Sequence, residues 1–84
     1  MLLDKERIFE VVKANTLKVL PDLHADDVTI DKNLSDLGAN SVDRVEVVIY
    51  SLEQLSLKVP TSELHGIRNL RALVDLLHRH ALSK

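Results

Sequence analysis

Turn-forming residues are scarce in this chain. Glycine and proline together number four in 84 residues, at Pro21, Gly38, Pro60 and Gly66. A sandwich or barrel of short strands needs a turn about every 8–12 residues, so that class is excluded. The stretches between these four positions instead carry aliphatic residues at helical intervals. Asp4 stands where an N-cap would, and Ile8, Val11 or Val12, Leu17, and Val19 or Leu20 recur up to Pro21. This pattern predicts a first helix over residues 4–20. Pro21 ends it, because the residue before a proline is pushed out of helical dihedrals.

A second helix is expected from Ser41 to Leu55. Val45, Val48, Leu52 and Leu55 form an i, i+3, i+7, i+10 stripe, read as its core face, with Val42 and Ile49 to one side. Asn40 serves as N-cap and Asp43 sits at N3, as in a capping box. That register leaves the Ser41 hydroxyl free at the first helical position, pointing outward. Thr61 is expected to cap a short third helix over 61–66, ended by Gly66. Asn69 caps a fourth helix over 70–80, with Leu70, Leu73 or Val74, Leu76 and Leu77 facing inward; the tail from Ala81 to Lys84 frays. Residues 21–40 show no sustained period. Such a long loop is unusual in a compact domain and must be pinned by Val28, Ile30, Leu34 and Leu37, with room for one helical turn near Leu34 to Leu37. The expected fold is all-α: a small four-helix bundle, three main helices plus a short third, with a long first loop, in one domain spanning 1–84. Aromatic residues are only 2%, so the core must be aliphatic, with Phe9 and Tyr50 in it or at its boundary.

Several chemistries are excluded at once. Cysteine is absent, which removes disulfides, thiolate metal sites and thiol nucleophiles. No segment resembles a signal peptide or approaches the ~18 apolar residues of a membrane span, so a cytoplasmic protein without a membrane role is expected. His78 and His80 are two apart on a helix and face away from one another, so they cannot share a metal at i, i+4 spacing. His24 and His65 likewise read as solvated. The net charge of −2 hides an asymmetry: Pro21 to Ser56 holds eight acids against Lys32 and Arg44, a net of −6. That field favours basic protein partners and disfavours nucleic acid. Arg68, Arg71 and Arg79 are too few for a nucleic-acid recognition helix and read as a solvated face.

Ser41 is the residue that stands out. Serine is common in the first turn of a helix, so position alone favours an ordinary cap residue over a functional one. Two details favour function: Asn40 already supplies the cap, and Gly38 lets a loop approach closely. A catalytic serine would need a base and an orienting acid. The run Gly38, Ala39, Asn40, Ser41, Val42 lacks the second glycine of a nucleophile elbow, and so small a bundle offers little room for a substrate pocket. A hydroxyl displayed there suits being modified better than doing chemistry.

Leu37 to Glu46, with Val59 and Pro60 following and Ile67 to Leu77 closing the chain, resembles the acyl carrier proteins over nearly its whole length. In that family a glycine, any residue, aspartate and serine precede an aliphatic residue. The resemblance implies that Ser41 receives 4′-phosphopantetheine from coenzyme A and that acyl groups ride on its terminal thiol. It implies a carrier and not an enzyme. It also implies a partner face on the second helix comprising Asn40, Val42, Asp43, Arg44, Val45, Glu46 and Ile49. Asn40 stands where the family usually has aspartate, which bears on the choice of phosphopantetheinyl transferase.

Asn40 to Arg44 with Leu55, Ser56, Leu57 and Pro60 is similar to free-standing carriers of bacterial polyketide pathways. Some of these deliver an acetyl unit for β-branching. The partners so implied are the transferase and acyltransferase, ketosynthase or hydroxymethylglutaryl-synthase-like enzymes, with the carrier a discrete monomer. A peptidyl carrier, or a helical interaction module that is never modified, are the alternatives, and Ser35 and Ser51 are the rival attachment serines.

Overall fold

In the computed structural model the described residues are 4–64, 67 and 69–82. They form four α-helices: α1 (Lys5–Val19), α2 (Ser41–Leu55), α3 (Thr61–Leu64) and α4 (Leu70–Leu82). The all-α architecture with a long first loop is as expected. Asp4 caps α1 by accepting a 2.8 Å hydrogen bond from the Arg7 N–H, and α1 stops just ahead of Pro21. α4 continues through Leu82, so Ala81 and Leu82 belong to the helix rather than to the tail expected there; Ser83 and Lys84 lie outside the described residues. Thr61 is the first residue of α3, not a cap preceding it. Gly66, the expected stop of α3, lies outside the described residues, as do His65 and Arg68.

α1 is the element on which both α2 and α4 pack. The core between them is aliphatic: Ile8 and Val12 from α1, Val47 and Leu55 from α2, and Leu70, Leu73, Val74 and Leu77 from α4, joined by Val28 and Leu57. Phe9 packs at its boundary. Tyr50, also half-buried, lies under the Lys18 ammonium, 4.9 Å from its ring centre, a cation–π contact joining α1 to α2.

The inward face of α2 departs from the expected stripe at one position: Leu55 is buried and Val48 and Leu52 pack against the core as their spacing implies, but Val45 does not. Val47, Ser51 and Leu55 are its buried positions, whereas Val45 is 55% exposed. The reason is a polar contact that hydrophobic periodicity does not register. Asn15 of α1 is buried and donates to Ser51 Oγ at 3.1 Å and to Gln54 Oε1 at 2.9 Å; Ser51 Oγ in turn donates to the Val47 carbonyl at 2.8 Å. Burying a serine is tolerable when its hydroxyl is satisfied, and this network turns α2 so that Ser51 faces α1. Val45 is left at the edge of the gap between α2 and α4, while Val48 and Leu52 touch both that gap and the core.

The loop over 20–40 is anchored at several points. A 3₁₀ turn forms at Ala25–Asp27, and Val28 drops into the core. The Leu70 and Arg71 N–H groups of α4 donate to the Lys32 and Ile30 carbonyls, both at 2.8 Å. Those are first-turn donors with no partner inside their own helix, so one pair of bonds satisfies α4 and pins the loop. Asn69 adds the expected cap by accepting from the Ala72 N–H at 2.8 Å. Arg71 then closes on Asp31 at 2.6 Å; the hydrogen bond and negative charge of Asp31 raise its already high pKa, so it stays protonated.

Removing side-chain volume from the centre of this core should be costly. Leu77→Ala, at a fully buried position of α4, is expected to destabilise the protein by about 3 kcal/mol, measured as a lower urea midpoint with unchanged helical circular dichroism before the transition.

Candidate functional site

The start of α2 is set by a reciprocal pair. Asn40 Oδ1 accepts from the Asp43 N–H at 2.8 Å, and Asp43 Oδ2 accepts from the Asn40 N–H at 3.2 Å. This is the capping box the sequence implies, and it makes Ser41 the first helical residue, exposed at the positive end of the helix. Gly38 has a φ of +101°, yet a Cβ there would meet nothing within 4 Å. Its glycine therefore answers to backbone conformation and not to the close approach expected of it. It closes a turn in which the Leu37, Gly38 and Ala39 N–H groups bond back to residues 33–35.

The Ser41 hydroxyl is exposed but not free. The Arg44 guanidinium donates from Nη2 to Ser41 Oγ at 3.2 Å and from Nη1 to Ser35 Oγ at 3.1 Å. Ser35 and Arg44 thus join Ser41 in one cluster. Nothing in the sequence ties Ser35 to it, because the contact depends on how the loop lies across the head of α2.

Ser41, Arg44 and Ser35 stand on the wall of a cleft of about 850 Å³. Val45, Val48, Ile49 and Leu52 of α2 form one side, Leu70 and Leu73 of α4 the other, and Val59, Leu64 and Ile67 close the far part. A bundle this small is expected to offer little room for a substrate pocket, and what it has is an open cleft rather than an enclosed cavity. α2 and α4 each pack on α1 more closely than on one another, which leaves a gap between them, lined on the α2 side by Val45, Val48, Ile49 and Leu52.

The residues expected on the partner face fall into three environments. Val42, at 65% exposure, and Glu46 flank the outward side of α2; Val45 and Ile49, at 55% and 46%, stand at the cleft rim; Asn40, Asp43 and Arg44 surround Ser41. Exposed apolar residues at the head of one helix, among acidic ones, have the composition of a small interface. Of the serines, Ser51 is fully buried, while Ser35 and Ser41 are exposed. His80 is not simply solvated: its Nε2 lies 3.1 Å from Glu63 Oε2, tying α4 to α3. The described residues contain no cluster of metal-ligating side chains, and no helix among them is long and apolar enough to cross a membrane.

A helical bundle with a long first loop, an exposed serine heading its second helix and a cleft alongside has the architecture of a carrier protein. A family model described as "Phosphopantetheine attachment site" matches residues 12–77, and the chain belongs to that family. Its prosthetic group is 4′-phosphopantetheine, and a helical interaction module that is never modified is set aside. The chain is 45% identical over 76 residues to the polyketide biosynthesis acyl-carrier protein AcpK of Bacillus subtilis (strain 168), covering 90% of this chain and 93% of that protein. It is 27% identical over 59 residues to an acyl carrier protein of Clostridium perfringens (strain SM101 / Type A), covering 69% of this chain and 78% of the relative. Among solved structures it matches, with a TM-score of 0.84 and 32% identity over 92% of this chain and 99% of the other, a chain from the crystal structure of the curacin-pathway HMG synthase in complex with its acetyl donor carrier.

The capping box carries a measurable share of stability. Asn40→Ala removes the side-chain acceptor for the Asp43 N–H and should cost about 1 kcal/mol, read as a lower melting temperature of the unmodified protein.

Proposed function

We propose that Ser41 bears the 4′-phosphopantetheine arm, and that the chain is a polyketide-pathway carrier that presents an acetyl unit to an HMG-synthase-like enzyme. The observation that carries the site is the exposed hydroxyl of Ser41 at the head of α2, beside a guanidinium and at the wall of an apolar cleft. The group fits there: its phosphate is an anion, and the helix end and Arg44 are both positive. The rival Ser51 is buried with its hydroxyl engaged. The pathway reading is supported by the likeness to the Bacillus polyketide carrier and to the acetyl donor carrier in complex with an HMG synthase, which also favours acyl over peptidyl loads.

When bound, the group supplies a thiol on a long arm that holds acyl units as thioesters. The chain's own residues position and present it. Arg44, the hydroxyl's neighbour, donates to Ser41 Oγ and offers no acceptor for its proton, which supports Ser41 as an anchor and the protein as a carrier. Val42 with the rim residues Val45 and Ile49 offers a small apolar contact, with Asp43 and Glu46 giving it a negative border. Such contacts are small and weak, which suits a monomer that must leave after each step. Charge would steer its encounter with the transferase and with acyltransferase, ketosynthase or synthase partners.

Two outcomes test this reading. Ser41→Ala should keep the helical circular dichroism of the parent and gain no phosphopantetheinyl mass with coenzyme A and a broad-specificity transferase, while Ser51→Ala still gains it. Uptake by the Ser41→Ala protein would sink the assignment. Glu46→Lys should fold normally yet slow acetyl delivery to an HMG-synthase-like enzyme at low salt, with the difference shrinking as salt is added; equal rates at every ionic strength would argue against the α2 face.

A further inference from the structure

Arg44 is the basic residue of α2, in a stretch of chain dominated by acids, yet among the described residues no carboxylate lies within 4.0 Å of its guanidinium. The neighbouring Asp43 carboxylate accepts from the Asn40 N–H instead. Arg44 spans two neutral hydroxyls, Ser41 Oγ and Ser35 Oγ, through separate nitrogens. A planar fork held open across two sites, with its charge uncompensated by contact, is suited to an oxyanion. We infer that Arg44 and Ser35 form a built-in seat for the phosphodiester at the root of the arm, an inference that rests on attachment at Ser41.

The geometry follows from the bonds already present. A phosphorus on Ser41 Oγ lies one bond beyond the atom to which Nη2 donates, so a small rotation of Arg44 brings that nitrogen onto a non-bridging oxygen. The Ser35 hydroxyl accepts from Nη1 and still has its own proton to donate, which it gives to a second oxygen. Because Ser35, Ser41 and Arg44 all stand on the cleft wall, the seat holds the root of the arm on the cleft side of α2, away from Val42. Arg44 and Ser35 are thus positioning residues for the arm, and α2 would meet its partners with the phosphate charge partly cancelled from within.

The test uses protein loaded with coenzyme A and a transferase, with the attachment residue mapped by peptide mass spectrometry. On loading, the Arg44 Nε–H resonance should shift and its exchange with water should slow about fivefold, the scale of an exposed ion pair. The phosphorus resonance of the arm should move in Arg44→Gln and in Ser35→Ala, return part of the way in Arg44→Lys, and lose its dependence on residue 44 at high salt. If the arm is on Ser41 while the Arg44 and phosphorus resonances ignore these changes, the seat is refuted and the attachment site stands. A residue 44 that only braces the loop predicts equal losses in melting temperature before and after loading with an unmoved phosphorus signal, and that result also refutes the seat. An arm mapped to any other residue, or to none, overturns both the seat and the Ser41 assignment.

Discussion

Two backbone hydrogen bonds hold the functional end of this molecule together. The Leu70 and Arg71 N–H groups, which α4 cannot satisfy internally, reach the carbonyls of Lys32 and Ile30. A stretch of about twenty residues without regular structure is costly to order, and it keeps one shape only if its backbone is bonded. These bonds do that at the loop's midpoint, while Val28 and the turn ending at Gly38 do it on either side. The consequence reaches α2: with the loop fixed, Ser35 lies where Arg44 can hold it, and the chain enters the helix through the Asn40–Asp43 pair with Ser41 outermost.

α2 divides its circumference among three tasks. One side, Val47, Ser51 and Leu55, packs on α1. A second, Val45, Val48 and Leu52, lines the cleft. The third carries Val42 and Glu46 outward. A helix of 15 residues can do this because its buried side needs little apolar area once Asn15 and Ser51 satisfy one another. The division is not complete: Val48 and Leu52 also pack against the core, and Leu70 and Leu73 of α4 are at once core residues and cleft lining.

Much of the architecture was legible before any coordinates. The scarcity of glycine and proline, the stop at Pro21 and the Asn40/Asp43 and Asn69 caps placed the main helices near their observed limits, because caps and breakers act within a few residues of where they stand. Ser41 could be singled out for the same reason. The inward face of α2 was legible only in part: Val48, Leu52 and Leu55 pack on the core as their spacing implies, but periodicity counts Ser51 as polar and Val45 as core, whereas burial is decided by the partner across the interface. Ser35 and the His80–Glu63 contact were equally hidden, each depending on segments brought together by the fold.

The sequence by itself determined that this chain is helical, aliphatic in its core, acidic around its second helix, and built to display one serine at that helix's head. These are consequences of local chemistry: which residues cap, which break, which repeat. Only the tertiary structure decided that a cleft opens between α2 and α4, which valines line it, and that Arg44 reaches Ser41 and Ser35 together. Those depend on the angle at which α2 meets α1 and on where the long loop is tied, and distances between segments far apart in the chain are set by packing as a whole and by no stretch alone.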